Sequence, residues 1–284
     1  MKQYLIVQLI LVLSLSGCSS SKKKSEEYQA PLKYGVFLGC DSSSLSKIKK
    51  YPNVAIDLDN FSSSDISSLK ENECTIYAYL SVGSLEKYRS YYETYKDLTF
   101  MDYENWPDER WVDVSSSSWQ EHILSEANRL KELGADGIFM DNFDVYYIAA
   151  EEYQGSDINK EDIYQGCLKM LNDLSSTGMK LMINSGTDFL DRMHSENRNE
   201  INKINVYAQE TVFSKIEDYE NNVFVRQDIG EKEYLLNIVE IMRYKGDVLF
   251  IEYTKDATLK KEIQEYCDEL NYHYYISENV ELKV

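Results

Sequence analysis

Histidine and cysteine are scarce in this chain of 284 residues, cations are outnumbered by anions, and no long apolar run follows the first fifteen residues. The three histidines (His122, His194, His273) are scattered, and the cysteines show no C-x-x-C spacing. That combination excludes the usual zinc sites. Nothing in the pattern implies a metal or an organic cofactor. Lys and Arg number 30 against 49 Asp and Glu, for a net charge of −19. Such a surface argues against a nucleic-acid partner, because that binding rests on cations neutralising phosphate. It permits a neutral or cationic partner, or simply keeps the protein soluble. Beyond the amino-terminal segment no run approaches the ~20 residues of a membrane-spanning helix.

The amino-terminal segment has the form of a targeting signal. Lys2 precedes an apolar run over residues 4–15, too short to span a bilayer. Leu15-Ser16-Gly17-Cys18 then resembles a bacterial lipobox. Residues 1–17 are therefore expected to be a lipoprotein signal peptide, with Cys18 the lipidated residue. Residues 18–31, rich in Ser, Lys and Glu, form a polar tether that cannot bury a core. This places the protein on the extracellular face of the cell membrane, attached through its lipid anchor alone. An ordinary secretory signal with a chance cysteine is the plainer alternative.

Residues 32–284 suit a single domain. Eight strand-like runs fall at 34–38, 54–58, 75–80, 137–140, 180–183, 204–208, 248–251 and 272–276. Helical segments are expected at 64–71, from a capping box at Ser118 and Glu121 to a stop at Gly134, and at 161–175, 188–196, 231–244 and 258–270. Ile238, Ile241 and Met242 are spaced for one buried helix face. Alternating strands and helices give a parallel sheet, and eight units in this length favour an α/β fold of the closed (β/α)8 TIM-barrel type. Cys40 follows one strand and Cys74 precedes another, at opposite barrel ends, while Cys167 and Cys267 lie on different helices. These four read as small buried hydrophobes. After the third strand a long loop carries Tyr88, Tyr91, Tyr92, Tyr95, Phe100, Tyr103, Trp106 and Trp111. Its rings could stack on sugars or pack the loop on itself.

Several apolar runs end on acids. Val54-Ala55-Ile56 leads to Asp57 and Asp59, Gly137-Ile138-Phe139-Met140 to Asp141 and Asp144, residues 206–209 to Glu210, and Leu249-Phe250-Ile251 to Glu252. In a barrel the carboxyl ends of the strands form the active face. Carboxylates gathered there without His or Cys fit glycosidic bond hydrolysis, in which one acid protonates the leaving oxygen and a second attacks or activates water. Asp57, Asp59 and Asp144 could equally be caps or turn residues. Asp141 and Glu210 directly terminate strands, with one strand between them, and read as functional. Arg89 could fold back to hold a carboxylate or could be an ordinary surface residue.

These stretches, with Tyr77-Ala78-Tyr79-Leu80-Ser81-Val82-Gly83-Ser84, Glu86, Arg89, Trp106-Pro107, residues 109–113, Asn184-Ser185-Gly186 and Ile251-Glu252-Tyr253, resemble glycoside hydrolase family 114, the endo-α-1,4-polygalactosaminidase-like barrels. The resemblance spans about residues 32–284. It implies a retaining, internally cutting hydrolase acting on a cationic hexosamine polymer. Asp141 would be the nucleophile and Glu210 the acid/base, with Asp57, Asp59, Tyr79, Asp144, Asn184, Glu252 and Tyr253 contacting substrate. On those roles Glu210 is expected to be the more buried, proton-bearing acid, with Asp141 ionised beside Asn184 or a tyrosine hydroxyl. Two other classes remain open at this point. One is a solute-binding lipoprotein, which would have two open-sheet lobes. The other is a carbohydrate-binding barrel without catalysis.

Overall fold

The computed structural model describes residues 33–284. The expected signal peptide at 1–17, the lipidation site Cys18 and the tether at 18–31 lie outside the described residues. Thirteen strands follow one another along the described chain. The first six are β1 (Tyr34–Phe37), β2 (Asn53–Ile56), β3 (Thr75–Ser81), β4 (Ser84–Glu86), β5 (Thr99–Asp102) and β6 (Glu109–Val112). Next come β7 (Gly137–Asp141), β8 (Lys180–Asn184), β9 (Val206–Glu210), β10 (Ser214–Asp218) and β11 (Val223–Arg226). The last two are β12 (Asp247–Tyr253) and β13 (His273–Ser277).

Eight of these make one parallel sheet in the order β1-β2-β3-β7-β8-β9-β12-β13. The runs are short, β-branched or aromatic, and almost wholly buried, as a sheet covered on both faces requires. Helices Ser63–Glu71, Ser117–Leu133, Lys160–Ser176, Thr187–Ser195, Ile229–Met242 and Ala257–Leu270 alternate with them. The result is the (β/α)8 barrel expected from the sequence. Seven neighbouring pairs are joined by backbone ladders. Among the described residues the eighth seam, β1 against β13, has no ladder and is closed by rings. Tyr34 meets His273 at 4.9 Å and Phe37 meets Tyr275 at 5.3 Å between centroids.

Local signals were mostly placed where the chain uses them. Gly134 adopts φ 114° and ends helix Ser117–Leu133, as expected. The helix start differs: its cap is Ser116, two residues before the expected Ser118, and it makes no side-chain cap bond. A capping box does form elsewhere. The Ser62 N–H donates to Asp65 at 2.9 Å, and the Asp65 N–H donates to the Ser62 hydroxyl at 3.3 Å. In helix Ile229–Met242 the buried face is Leu235, Ile238, Val239 and Met242, and Ile241 sits at its margin. Cys40, Cys74, Cys167 and Cys267 are buried and free.

Two excursions leave the carboxyl ends of the strands. The first, expected as a loop, is a three-stranded antiparallel sheet in the order β4-β6-β5. It packs on the barrel through Tyr91, Tyr95 and buried Trp111, with Tyr91 and Tyr95 against His122. Gly83 begins it where a Cβ would strike the Asn142 backbone oxygen at 1.9 Å, so only glycine fits that approach. The second excursion, absent from the sequence reading, is the antiparallel hairpin β10–β11. It turns through residues 219–222, with Asn222 at φ 52°.

Candidate active site

A cleft of about 570 Å³ opens at the carboxyl ends of the strands. Its floor is set by strand periodicity. Residues paired across a parallel sheet share a face, and alternate residues face opposite ways. Asp141 pairs with Ser81, Asn184 with Ala208, and Glu210 with Ile251. Asp141, Asn184 and Glu210 thus come from three adjacent strands, β7, β8 and β9, and all line the cleft. The Asn184 side-chain amide bridges the two acids: Nδ2 donates to Asp141 Oδ1 at 3.0 Å and to Glu210 Oε1 at 2.7 Å. These two oxygens therefore lie within about 6 Å of each other, compatible with the ~5–5.5 Å of a nucleophile and acid/base pair. The Asn142 N–H adds a second donor to Asp141 Oδ1 at 2.9 Å, with Asn142 held at φ 67°. The Tyr253 hydroxyl donates to Glu210 Oε2 at 2.8 Å.

No cation touches this pair among the described residues. Burial raises the pKa of Asp141 well above the usual carboxylate range, the charge of Glu210 adds to it, and the Asn184 donor pulls the other way. Burial also raises Glu210, against the donors Asn184 and Tyr253. The expected split, with Glu210 alone pushed up, is thus replaced by an upward push on both. Neighbouring carboxyls of this kind titrate as a unit, and one shared proton relieves their repulsion. Around them burial lifts Asp144 to about 7, despite the Gly186 N–H at 3.2 Å, and Glu109 to about 7, despite the Ser84 hydroxyl at 2.6 Å.

The β2–β3 side of the cleft is built differently. Arg89 folds back and is only 10 % exposed. It forks onto Glu86 with bonds of 2.7 and 3.1 Å, reaches Asp57 at 3.0 Å and Asp59 at 3.1 Å, and lies over the Tyr79 ring. Asp57 and Tyr79 line the cleft as expected, and so do Asp144, Asn184 and Tyr253. Asp59 does not. It is exposed on the 3-10 turn capped by Asp57 and is ion-paired to Arg89 and Arg129.

Glu252 also departs from expectation. It follows Ile251, which shares Glu210's face, so alternation turns it away from the cleft, beside Phe250. It is fully buried and accepts from the Phe213 N–H at 2.9 Å, the Ser214 N–H at 2.8 Å and the Ser214 hydroxyl at 2.5 Å. Its work is to lock the base of the β10–β11 hairpin. Residues that the sequence reading did not assign to the site include Glu86, Glu109, Asn142 and Tyr219, all of which line the cleft. Asn142 Nδ2 donates to the Ser81 and Ser84 hydroxyls at 2.9 and 3.0 Å, so a polar chain runs from Asp141 to Glu109. The Glu109 to Asp113 stretch carried a family signal; Tyr219 carried none.

The family model described as Glycoside-hydrolase family GH114 matches residues 20–279. The chain belongs to glycoside hydrolase family 114. Among curated proteins none matches it. Among solved structures, the glycoside hydrolase domain of PelA from Pseudomonas aeruginosa is similar at 18% identity and a TM-score of 0.72, over 90% of this chain and 97% of that one. Ega3 from Aspergillus fumigatus, solved in complex with galactosamine, is similar at 19% identity and a TM-score of 0.66, over 89% and 93%. At these identities the likeness concerns the fold. As a family 114 member the protein is a glycoside hydrolase, and its strand-end carboxyl pair bridged by Asn184 is the part of the cleft with the geometry for that chemistry.

Proposed function

We propose that this family 114 hydrolase cuts α-1,4-linked, galactosamine-containing polysaccharide internally and with retention, outside the cell and tethered through Cys18. The observation that carries the catalytic part is the single Asn184 amide donating to both Asp141 and Glu210. In this reading Asp141 attacks the anomeric carbon while Glu210 gives its proton to the leaving oxygen. Glu210 then takes a proton from the water that releases the sugar from Asp141. Asn184 and the Asn142 N–H favour the ionised form of Asp141, and once Glu210 carries the shared proton its charge no longer raises Asp141. Tyr253 holds Glu210 in line.

The substrate class is the one the family resemblance implies, and charge supports it. A chain of net charge −19, with Asp141, Asp144, Glu109 and Glu210 all lining one cleft, attracts a polymer bearing ammonium groups. Salt should weaken that attraction. Galactosamine in the Ega3 complex supports the same choice. The tether rests on the sequence of residues 1–31 alone, and a Cys18→Ser chain should leave the membrane fraction. The test of mechanism is proton NMR of partly deacetylated α-1,4-galactosamine polymer during the first minutes of hydrolysis. New reducing ends should appear as the α anomer; initial β anomer would end the retaining assignment, and no new ends would end the substrate assignment.

A further inference from the structure

Two aromatic residues on separate excursions meet in the cleft that holds the catalytic pair. Trp106 sits in the turn between β5 and β6, and Tyr219 at the tip of the β10–β11 hairpin. Their rings touch edge to face, 6.0 Å between centroids and 81° between planes, and both line the cleft. The excursions spring from opposite sides of the pair. On Trp106's side, the Tyr103 hydroxyl donates to Asn142, the residue after Asp141, at 3.2 Å. On the other side, β10 follows β9, whose last residue is Glu210. The contact therefore joins the excursion that leaves β3 to the one that leaves β9, and β8, whose Asn184 bridges the acids, lies between those strands in the sheet.

Both supports are fixed. The Trp106 carbonyl accepts from the Glu109 N–H at 2.9 Å, Pro107 follows it, and Tyr103 stacks on buried Trp111 at 4.2 Å. Below Tyr219, Asp218 accepts from the Asn221 N–H at 3.0 Å and from its side chain at 2.8 Å, and Glu252 clamps the hairpin base. Rigid supports joined by one ring contact make a bridge that parts at its middle, since an edge-to-face pair is weak alone. Both rings are half-buried and offer apolar faces beside carboxylates, which suits the faces and polar edges of a sugar.

We infer that Trp106 and Tyr219 form a bridge that opens to admit an internal stretch of polysaccharide and then closes over it, so that one bound chain is cut several times before release. The inference rests on the proposed polysaccharide substrate. Neither ring touches the reacting atoms in this role; they bind the chain and set the pattern of cutting.

The test uses the full-length chain with two readouts. The first is equilibrium binding of α-1,4-galactosamine oligosaccharides, followed by tryptophan fluorescence and by calorimetry, in a Glu210→Gln background where cutting is slow. Trp106→Ala and Tyr219→Ala should each weaken binding about tenfold or more, whereas Trp106→Phe should stay within about threefold. The second is the ratio of soluble to polymer-bound reducing ends early in digestion, with Glu210 intact. Both alanine variants should lower that ratio severalfold. Binding and product ratio like the parent's in both alanine variants would overturn the bridge and leave the hydrolase assignment standing. Bridge-dependent binding without any cutting by the parent would overturn the hydrolytic reading of this substrate and keep the bridge as its binding site. A parent that neither binds nor cuts the galactosamine chain overturns both.

Discussion

Two clusters of carboxylates share the cleft, and they are treated in opposite ways. On the β2–β3 side Asp57 and Glu86 are buried against Arg89, with exposed Asp59 at the edge. On the β7–β9 side Asp141 and Glu210 are held by an amide, a backbone N–H and a phenol, with no cation. A guanidinium ties the excursion that carries it to the barrel and pulls against the burial that raises Asp57. Neutral donors orient their acids and leave room for a proton, which burial encourages. The same residue types thus become scaffold or reagent according to whether a permanent charge sits among them.

The sharpest way to break this comparison is to neutralise each side in turn. Glu210→Gln should lower kcat by roughly 10²–10⁴-fold, and Asp141→Asn by at least as much, with thermal unfolding at or above the parent's. A parent-like rate in either variant would remove the reagent side of the contrast. Arg89→Ala should instead destabilise the fold by about 3–5 kcal/mol, because it leaves buried Glu86 and Asp57 without their cation. Urea unfolding measures this, and a change under 1 kcal/mol would show that the ion cluster is not a scaffold.

A third test uses pH. Asp144, Glu109 and Glu252 are each raised to about 7 in the folded chain, whereas free carboxylates titrate near 4. For acids raised on folding, the folded state binds protons more tightly. Stability is then fully present below the unfolded value and falls as pH rises through about 7. The melting temperature should therefore be higher at pH 5 than at pH 8. Glu109→Gln removes a like charge that raises Asp141, so the acid limb of kcat/KM should move to lower pH. An unmoved limb would uncouple Glu109 from the pair. The smallest effect belongs to Asp59→Asn, whose exposed ion pairs are worth under about 1 kcal/mol.

The barrel was legible because its strands are continuous apolar runs punctuated by helices, and such a pattern depends on local chemistry. Asp141 and Glu210 were legible for the same reason: each is the last residue of its strand. Glu252 follows the same apolar-then-acid rule and fails it, because one step along a strand reverses the face and the run alone does not state its phase. The excursion strands β4 to β6 are three or four residues long and pair only with each other, so neither periodicity nor length marked them. The β10–β11 hairpin did offer a local signal in Asn221-Asn222, flanked by Ile216 and by Val223-Phe224-Val225. Arg89's fold-back was only one of two readings open in the sequence, since Asp57 and Asp59, which it reaches, lie some thirty residues away.

The seam between β1 and β13 has a mechanical consequence. A cask of eight staves glued at seven seams, with the eighth seam held only by interlocking rings, springs first at that seam. Amide protons on the facing edges of those two strands should exchange with deuterium sooner than those of β7, β8 and β9, which are laddered on both flanks. The acids that do the chemistry thus sit in the stiffest arc of the cylinder, well away from where it would first loosen.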